Sequence, residues 1–486
     1  MIMPLPRLFK TSAVVLVLAP LISGAWAASL PKPVAQALRS AGIPLSSVSA
    51  VVQEVGAARA SLVFNEREPR NPASVMKLVT TYAALELLGP AYRWKTEVYL
   101  DGENVVIKGY GDPKLSYQSF WLLLRNLRGR GVTEIRGDVL LDRSYFAPVP
   151  DVPFDGEAYR TYNVPPDALL VNFRSLRFSF MPEDANVRVY VEPALPGLEV
   201  MNLLRLSGGA CPDGRAFREI LQASFESSPR PRASFTGEYP LSCGERELSV
   251  ALYSPEEYVT AMLRQLWTEM GGTWKGIARD GAASPGAKLV YVHESEPLAE
   301  VVRDINKFSN NVMARQLFLT LAAESMGPPA QAADATRVVK QWLTLKNIQA
   351  PELVLENGSG LSRVERISAA HLAALMQAAW ASPVMAEFVS SLPLVALDGT
   401  MRKRLLGERI AGSAHVKTGL LQDARAIAGY VLDRKGKRQV VVMLVNHPKA
   451  LQADAAMDAL LAWAYDSPTT PARPTAHPRG VSPRDP

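Results

Sequence analysis

Strand patterns near both ends of the chain constrain its fold more than any other feature. Two of them precede residue 70 and three lie near the C-terminus, where a predicted helix at 450–465 follows them. The strand patterns cover residues 48–55 and 60–64, a segment that ends at Lys417, and residues 424–432 and 439–445. One sheet assembled from both ends, with helices on its faces, would make a single domain. We therefore expect an α/β (α+β) fold in which the middle of the chain is an insertion.

The middle of the chain has a different pattern. From residue 95 to residue 295, short strand-like runs alternate with turns, and helical signal is scarce between Phe173 and Cys243. This pattern predicts one or two mostly β modules inserted into the sheet-forming domain.

The two termini are expected to lie outside the fold. A positively charged start, an apolar run over residues 13–22 and the small-x-small sequence Ala25-Trp26-Ala27 are typical of a secretory signal peptide. We predict that residues 1–27 are removed after Ala27 and that the protein is exported to the periplasm. An uncleaved anchor is the alternative, although the apolar run is short for a membrane span. Residues 466–486 are rich in Pro, Thr and Arg, which predicts a disordered tail.

The cysteine count and the charge limit the class of protein. The 486 residues include two cysteines, Cys211 and Cys243, which in an exported chain are expected to form a disulfide; two free thiols are the alternative. No Cys and His cluster with metal-ligand spacing is present, and we expect no metal or organic cofactor. The net charge of +6 includes two charges from the signal segment, which leaves too little to indicate a nucleic-acid partner. At most a peripheral association with a membrane is expected.

Ser74 and Lys77 lie where a loop is predicted to turn into a helix. Asn71-Pro72 favours a turn, and helical apolar periodicity then runs from Leu78 to Gly89-Pro90. Residues three apart share a helix face, so the hydroxyl and the amine can meet. A lysine can be the base for a serine nucleophile if burial or a neighbouring cation lowers its pKa. The alternative is a helix-capping serine beside a solvated lysine.

A second motif, Ser309-Asn310-Asn311, lies in a predicted loop just before a helix. Such a turn can aim a hydroxyl and a carboxamide into one cleft. The hydroxyl can pass a proton between the lysine amine and a leaving nitrogen, and the amide can hold Lys77 and a substrate carbonyl. A simple helix-capping turn would use the same residue types.

A third motif, Lys417-Thr418-Gly419, ends the first of the three C-terminal strands. A fixed ammonium there would attract a carboxylate, which the Thr418 hydroxyl could also bind. Gly419 has no side chain, so a substrate backbone could lie against the strand edge. A surface turn is the alternative.

Together and in this order, the three motifs match the set shared by penicillin-binding proteins and class A β-lactamases. Asn310 stands where that set has Asp, a departure that keeps the hydroxyl and the carboxamide. The chain resembles the D-alanyl-D-alanine carboxypeptidase/endopeptidases of the class C low-molecular-mass penicillin-binding protein family. Further segments carry the resemblance, namely residues 71–88, 109–115, 306–311, 357–362 and 398–400.

The resemblance implies a transpeptidase domain like that of penicillin-binding proteins and β-lactamases. Its sheet would be antiparallel and five-stranded, with helices on both faces. The long gap between Ser74 and Ser309 is typical of this family, which carries two extra domains there. We therefore expect a catalytic domain at residues 28–94 plus 296–465, an inserted domain II at 95–181 plus 244–295, and an inserted domain III at 182–243.

The resemblance also implies the roles of the catalytic residues. Ser74 would be the acylated nucleophile and Lys77 its base. Ser309 and Asn311 would serve proton transfer and substrate placement.

By the same resemblance, the third motif binds substrate. Lys417 and Thr418 would hold the terminal carboxylate beside Gly419. The backbone N–H groups of Ser74 and Leu420 would form the oxyanion hole, in which one donor contributes about 3–4 kcal/mol in comparable acyl transfers.

Other candidate residues fit less well. The five histidines invite a search for a Ser-His-Asp triad, but the chain has no Gly-x-Ser-x-Gly sequence. His415 should share a strand face with Lys417, either as a packed residue or with a modest effect on that lysine. Asp112 and Asp398 are expected in turns.

The expected function is that of a serine-type D-Ala-D-Ala carboxypeptidase and DD-endopeptidase. It would act on peptidoglycan stem peptides and cross-links through an acyl-serine intermediate, and β-lactams would acylate Ser74 because they mimic the D-Ala-D-Ala end. A β-lactamase and a non-catalytic penicillin- or peptidoglycan-binding protein are the alternatives. The inserted modules argue against the first, and the intact motif residues argue against the second.

Overall fold

The computed structural model describes residues 29–212, 214–227 and 230–466. The predicted signal peptide and residues 467–486 of the predicted tail lie outside the described residues. The described part contains these α-helices: α1 Lys32–Ser40, α2 Lys77–Leu87, α3 Tyr117–Gly129, α4 Gly214–Ile220, α5 Pro255–Glu269, α6 Leu298–Phe308, α7 Asn311–Met326, α8 Ala332–Leu345, α9 Ala369–Trp380, α10 Met385–Ser391 and α11 Asp454–Tyr465.

The β-strands of the described residues are, in chain order, β1 Val48–Glu54, β2 Leu62–Phe64, β3 Lys95–Asp101, β4 Asn104–Gly109, β5 Glu134–Ile135, β6 Val139–Asp142, β7 Leu176–Glu183, β8 Asn186–Glu192, β9 Glu199–Asn202, β10 Arg205–Ser207, β11 Ala223–Glu226, β12 Arg232–Phe235, β13 Glu238–Pro240, β14 Arg246–Val250, β15 Thr273–Trp274, β16 Ala278–Asp280, β17 Lys288–Glu294, β18 Ala414–Leu420, β19 Ala424–Leu432 and β20 Arg438–Asn446.

Strands from both ends of the chain form one five-stranded sheet. Its order is β18-β19-β20-β1-β2, and each neighbouring pair is antiparallel. β20 pairs along its full length with β19 and also with β1, which joins the C-terminal strands to the N-terminal ones. The single sheet expected from the strand patterns is confirmed, and so is the antiparallel five-stranded arrangement that the family resemblance implies. β18, which carries the third motif, lies at one edge.

Helices cover both faces of this sheet, as expected. Alternate residues of β20 point to opposite faces. Val440, Val442 and Leu444 belong to the apolar cluster that includes α2, α7 and α9. Val441 and Met443 belong to the cluster that includes α1 and α11. Because both faces are buried, β20 is a continuous apolar run, and each such side chain contributes about 1.5–3 kcal/mol of burial free energy.

The inserted segment has its own sheets and core. A mixed sheet has the order β16-β6-β4-β3-β17, and two three-stranded sheets have the orders β14-β7-β8 and β11-β12-β9. One apolar cluster, with members from Val98 to Ala278, runs through all of them. The expected boundary between residues 181 and 182 falls inside β7, which pairs with β8 along its length. We therefore propose that the second inserted domain starts before β7 and extends through β14.

The two cysteines form the predicted disulfide. The Sγ atoms of Cys211 and Cys243 are 2.05 Å apart. The bond ties the segment before α4 to the segment before β14, inside the inserted part of the chain.

Some elements differ from the sequence expectations. The short helices α4 and α10 are not predicted by the pattern, and the expected helix over 450–465 is a 3-10 turn followed by α11. Asp466, the first residue of the predicted tail, follows α11 directly as its C-cap. Within the described residues, no helix is both long and apolar enough to cross a membrane.

Candidate active site

Ser74 lies in a tight turn that leads directly into a helix. A 3-10 helix spans Ala73–Met76, and α2 begins at Lys77. Ser74 therefore precedes Lys77 by one helical turn, as the sequence predicts. The residue before the serine, Ala73, has a φ of +46°, which is a left-handed conformation that alanine rarely adopts. Surrounding contacts must hold such a conformation in place.

Asn71 and Gly360 supply those contacts. The Asn71 Oδ1 accepts a hydrogen bond from the Ala73 N–H (2.9 Å), and its Nδ2 donates to the Ser362 carbonyl (2.8 Å). A Cβ at Gly360 would lie 1.9 Å from the Ala73 carbonyl oxygen, so only glycine allows this approach. The loop over residues 357–362 thus supports the turn that presents Ser74.

Lys77 is fully buried and contacts polar atoms from three parts of the chain. Its Nζ lies 3.0 Å from the Ser74 Oγ and 2.5 Å from both the Asn311 Oδ1 and the Ser359 carbonyl oxygen. Burial lowers the pKa of Lys77 well below its ordinary value, and the charge of Lys417 lowers it further. A lowered pKa favours the neutral amine, which is the form that can accept a proton.

The second motif joins α6 to α7. Ser309 has a φ of +57° and ends α6 in a left-handed conformation. The Asn310 side chain caps α7 by accepting from the Met313 N–H (3.0 Å). Asn and Asp are both good N-caps, which explains why Asn310 is tolerated in place of Asp. With the middle residue used for capping, Asn311 contacts Lys77, and Ser309 contacts Lys417.

The third motif places a second buried lysine beside the first. The Lys417 Nζ donates to the Ser309 Oγ (2.9 Å) and to the Thr418 carbonyl (2.8 Å). Burial lowers the pKa of Lys417 to about 7. A Cβ at Gly419 would lie 2.5 Å from the Pro72 carbonyl oxygen. The absence of a side chain at this position therefore has a packing reason in addition to any contact with substrate.

The structure thus brings the three motifs together through their side chains. Ser74, Lys77 and Asn311 form one hydrogen-bonded group, and Ser309 and Lys417 form another. Leu420 follows on the same strand with a side chain that is half exposed. The oxyanion role of the Ser74 and Leu420 backbone N–H groups stays a prediction.

Sequence reasoning missed Glu365, a fully buried carboxylate near Lys77. Its Oε1 accepts from the backbone N–H groups of Glu356, Asn357 and Gly358, at 3.1, 3.0 and 3.0 Å. Burial raises the pKa of Glu365, and its charge partly offsets the lowering of the Lys77 pKa. The Oε2 is buried without a hydrogen-bond partner among the described residues. The motif-like loop at 357–362 was visible in the sequence, but no pattern marks the carboxylate that holds it.

The remaining candidates take structural positions. Asp112 is buried in its predicted turn, where its Oδ1 accepts from the Lys114 N–H (2.8 Å) and burial raises its pKa to about 7. Burial and the charge of Lys307 lower the pKa of His415. Asp398 pairs with Lys307 at 2.6 Å. Across the described ranges, no group of His, Cys, Asp and Glu side chains could hold a metal ion.

Known proteins are similar to this chain over most of its length. A model of the D-Ala-D-Ala carboxypeptidase 3 (S13) family matches residues 30–466. The chain is 28% identical over 402 residues to a D-alanyl-D-alanine carboxypeptidase of Actinomadura sp. (strain R39), a match that covers 77% of this chain and 73% of that protein.

Solved structures share the fold. The crystal structure of penicillin binding protein 4 (dacB) from Haemophilus influenzae matches with a TM-score of 0.72 at 20% identity, covering 89% of this chain and 99% of that one. The same protein complexed with a β-lactam matches with a TM-score of 0.69, again at 20% identity and with the same coverage of 89% and 99%.

Proposed function

The chain belongs to the D-Ala-D-Ala carboxypeptidase 3 (S13) family, and we propose that it is a serine-type D-Ala-D-Ala carboxypeptidase with Ser74 as its nucleophile. The environment of Lys77 carries this proposal. A neutral amine has two N–H groups and one lone pair. The Asn311 Oδ1 and the Ser359 carbonyl can accept the two N–H groups, which leaves the lone pair for the Ser74 hydroxyl 3.0 Å away.

Acylation would then proceed by attack of the Ser74 Oγ on the carbonyl carbon of the penultimate D-Ala. The Ser74 proton passes to Lys77, and the peptide C–N bond breaks as the leaving nitrogen takes up a proton. Ser309 would relay the proton from Lys77 to that nitrogen, giving its own hydrogen and taking the one from Lys77, so that Lys77 is neutral again and Ser309 keeps its hydroxyl. The Ser309 Oγ accepts from Lys417, and its own hydrogen remains available for this step. The released D-Ala leaves an ester on Ser74, which water hydrolyses with Lys77 or Ser309 as the base.

Lys417 and Thr418 would bind the substrate carboxylate. The pKa of about 7 belongs to a buried lysine without a carboxylate partner. An anion beside it favours the charged form and so raises this pKa, which means that substrate binding and protonation of Lys417 support each other.

The same steps serve an endopeptidase when the leaving amine belongs to a neighbouring stem peptide. We propose peptidoglycan peptides as the substrates of both reactions. β-Lactams would acylate Ser74 by opening of their ring amide, which leaves no diffusing product to clear the site. This function agrees with an exported, periplasmic protein from which the signal peptide has been removed after Ala27.

The experiment is intact-mass analysis of the mature protein with and without benzylpenicillin, followed over time, together with release of D-Ala from a stem pentapeptide. We expect a stoichiometric adduct on the Ser74 peptide that persists for many minutes. Ser74→Ala should lose both adduct and release, whereas Ser390→Ala, at an exposed serine of α10, should keep both. An adduct that vanishes within seconds while drug is consumed would indicate a β-lactamase. No adduct and no release would indicate a non-catalytic binding protein.

A further inference from the structure

Thr400 lies beside Thr418, on a turn that the proposed mechanism does not use. The Thr418 Oγ1 donates a hydrogen bond to the Thr400 Oγ1, at 2.8 Å. Thr418 is nearly buried, whereas Thr400 is exposed. The single Thr418 hydroxyl hydrogen is thus given to Thr400, and the Thr400 hydroxyl hydrogen has no acceptor within the described residues. In this arrangement Thr418 would act on a carboxylate beside Lys417 through the Thr400 hydroxyl.

The turn that carries Thr400 is firmly held. The Asp398 Oδ1 accepts from the Leu394 N–H (2.7 Å), and its Oδ2 accepts from the Lys307 Nζ (2.6 Å). Gly399 has a φ of +54°, and a Cβ there would lie 2.6 Å from the Lys307 carbonyl oxygen. Lys307 belongs to α6, the helix that ends at Ser309. The turn is therefore fixed to the same helix that positions the second motif.

The chemistry of the pair suits a carboxylate. A hydroxyl that accepts one hydrogen bond becomes a better donor of another, so the bond from Thr418 polarises the Thr400 O–H. The neighbouring side chain on the strand, Leu420, is apolar and offers no donor. A carboxylate held by Lys417 has two oxygens to satisfy, and hydrogen bonds to an ionised acceptor are about twice as strong as neutral ones.

We propose that Thr400 is a substrate-binding residue that selects for a free C-terminal carboxylate, and that Asp398 and Lys307 are positioning residues for it. The proposal rests on the proposed function in one respect, namely that the carboxylate lies at Lys417 and Thr418. It adds a hydrogen-bond donor to the substrate carboxylate from outside the three motifs. It also gives the Asp398-Gly399-Thr400 segment a role, which is to hold that donor in place.

The test compares acylation by benzylpenicillin with acylation by its methyl ester, which lacks the carboxylate. Thr400→Val keeps the shape of the side chain and removes the hydroxyl. It should slow acylation by the free acid about 10- to 100-fold and leave the ester within about twofold, because one hydrogen bond to a charged acceptor is lost. Thr400→Ser should restore the preference for the acid. Asp398→Asn should give a smaller loss that is again confined to the acid. An equal loss for acid and ester in Thr400→Val, or no loss for either, would overturn the proposal.

A binding experiment separates this proposal from the proposed function. In a Ser74→Ala background, calorimetry measures binding of a diacylated L-Lys-D-Ala-D-Ala peptide and of its C-terminal amide. Adding Thr400→Val should weaken binding of the acid about 10-fold or more and leave the amide unchanged. If the wild-type protein forms no acyl adduct, the proposed function fails, yet this comparison still decides the role of Thr400. Equal binding of the acid with and without Thr400→Val would refute the role even where acylation occurs. Unchanged thermal midpoints would show that the variants remain folded.

Discussion

Replacing Lys417 by Met should remove a large pH dependence from the stability of the protein. Lys417 is fully buried, and burial lowers its pKa to about 7 from an ordinary value of 10.5. In the unfolded chain the lysine regains the ordinary value. Between these two pKa values the unfolded state therefore binds about one proton more than the folded state, and the free energy of unfolding rises with pH.

The size of the effect follows from the two pKa values. Their difference, 10.5 minus about 7, is about 3.5 units. At about 1.4 kcal/mol per unit, the wild-type protein gains about 5 kcal/mol of stability from this lysine as the pH rises from 7 to 10.5. Lys417→Met has no group to titrate. Its lost hydrogen bonds and altered packing shift the stability by an amount that depends little on pH. The slope therefore reports the charge of Lys417 together with the effect of that charge on the titration of Lys77.

The assay is urea unfolding of wild type and Lys417→Met at several pH values from 6 to 10.5. We expect the difference in unfolding free energy, wild type minus variant, to rise by about 1.4 kcal/mol per pH unit between the two pKa values. Lys403→Met, at an exposed lysine, serves as the matched control and should show a much smaller slope. A difference that stays flat with pH, or falls, would refute the assignment of a low pKa to Lys417.

The same variant tests the coupling between the two lysines. The charge of Lys417 is one cause of the lowered pKa of Lys77. Without that charge the Lys77 pKa should rise, and acylation by a substrate that lacks a carboxylate should need a higher pH to reach its plateau. The rate of acylation by carboxylate-bearing substrates should fall by a larger factor than the loss of unfolding free energy alone would explain. An unchanged acidic limb would show that Lys417 does not act on the base.

Three further predictions follow from individual contacts. Glu365→Ala leaves three backbone N–H groups, one in a buried and two in partly buried hydrogen bonds, without their acceptor and should cost about 3 kcal/mol in urea unfolding. Glu365→Gln keeps an acceptor and should lower the unfolding free energy by less. It should also move the acidic limb of the acylation pH profile to lower pH, because the carboxylate no longer raises the Lys77 pKa. A shift to higher pH would contradict this. Gly419→Ala would bring a Cβ to 2.5 Å from the Pro72 carbonyl oxygen and so displace the turn before the nucleophile. It should slow acylation about 100-fold and lower the thermal midpoint only slightly. A wild-type acylation rate would show that the turn can move aside without displacing Ser74. Replacing Cys211 and Cys243 by Ser opens a loop with a sequence separation of 32 and should lower the unfolding free energy of the inserted part by about 4 kcal/mol. The acylation rate should stay unchanged. A parallel loss of acylation would show that the inserted part is coupled to the site.

The sequence predicts those helices and strands that are buried on one face or on both faces, because such burial leaves a recognisable pattern of apolar residues. β20 is a run of apolar residues because both faces of its sheet are covered, and a run of this kind predicts a strand without knowledge of its partners. The inserted segment is different. β9 and β10 have four and three residues and are mostly exposed, so they show no alternation. Their pairing depends on strands that lie elsewhere in the chain, which a local pattern cannot identify.

The candidate site shows the same limit at the level of chemistry. The Ser-x-x-Lys motif identifies the pair that can react, but an exposed lysine in the same motif would stay protonated and could not act as a base. Lys77 becomes a candidate base because the fold buries it and places Lys417 nearby. The fold also buries Glu365, whose carboxylate binds the loop that contacts Lys77. Those partners are separated from Lys77 by hundreds of residues, and one of them belongs to no motif. A buried carboxylate also has a reason to be present, since two buried lysines without any negative charge would be costly to enclose whenever they are protonated. The motifs therefore locate the reaction, whereas the protonation states on which it depends arise from contacts that exist only in the folded chain.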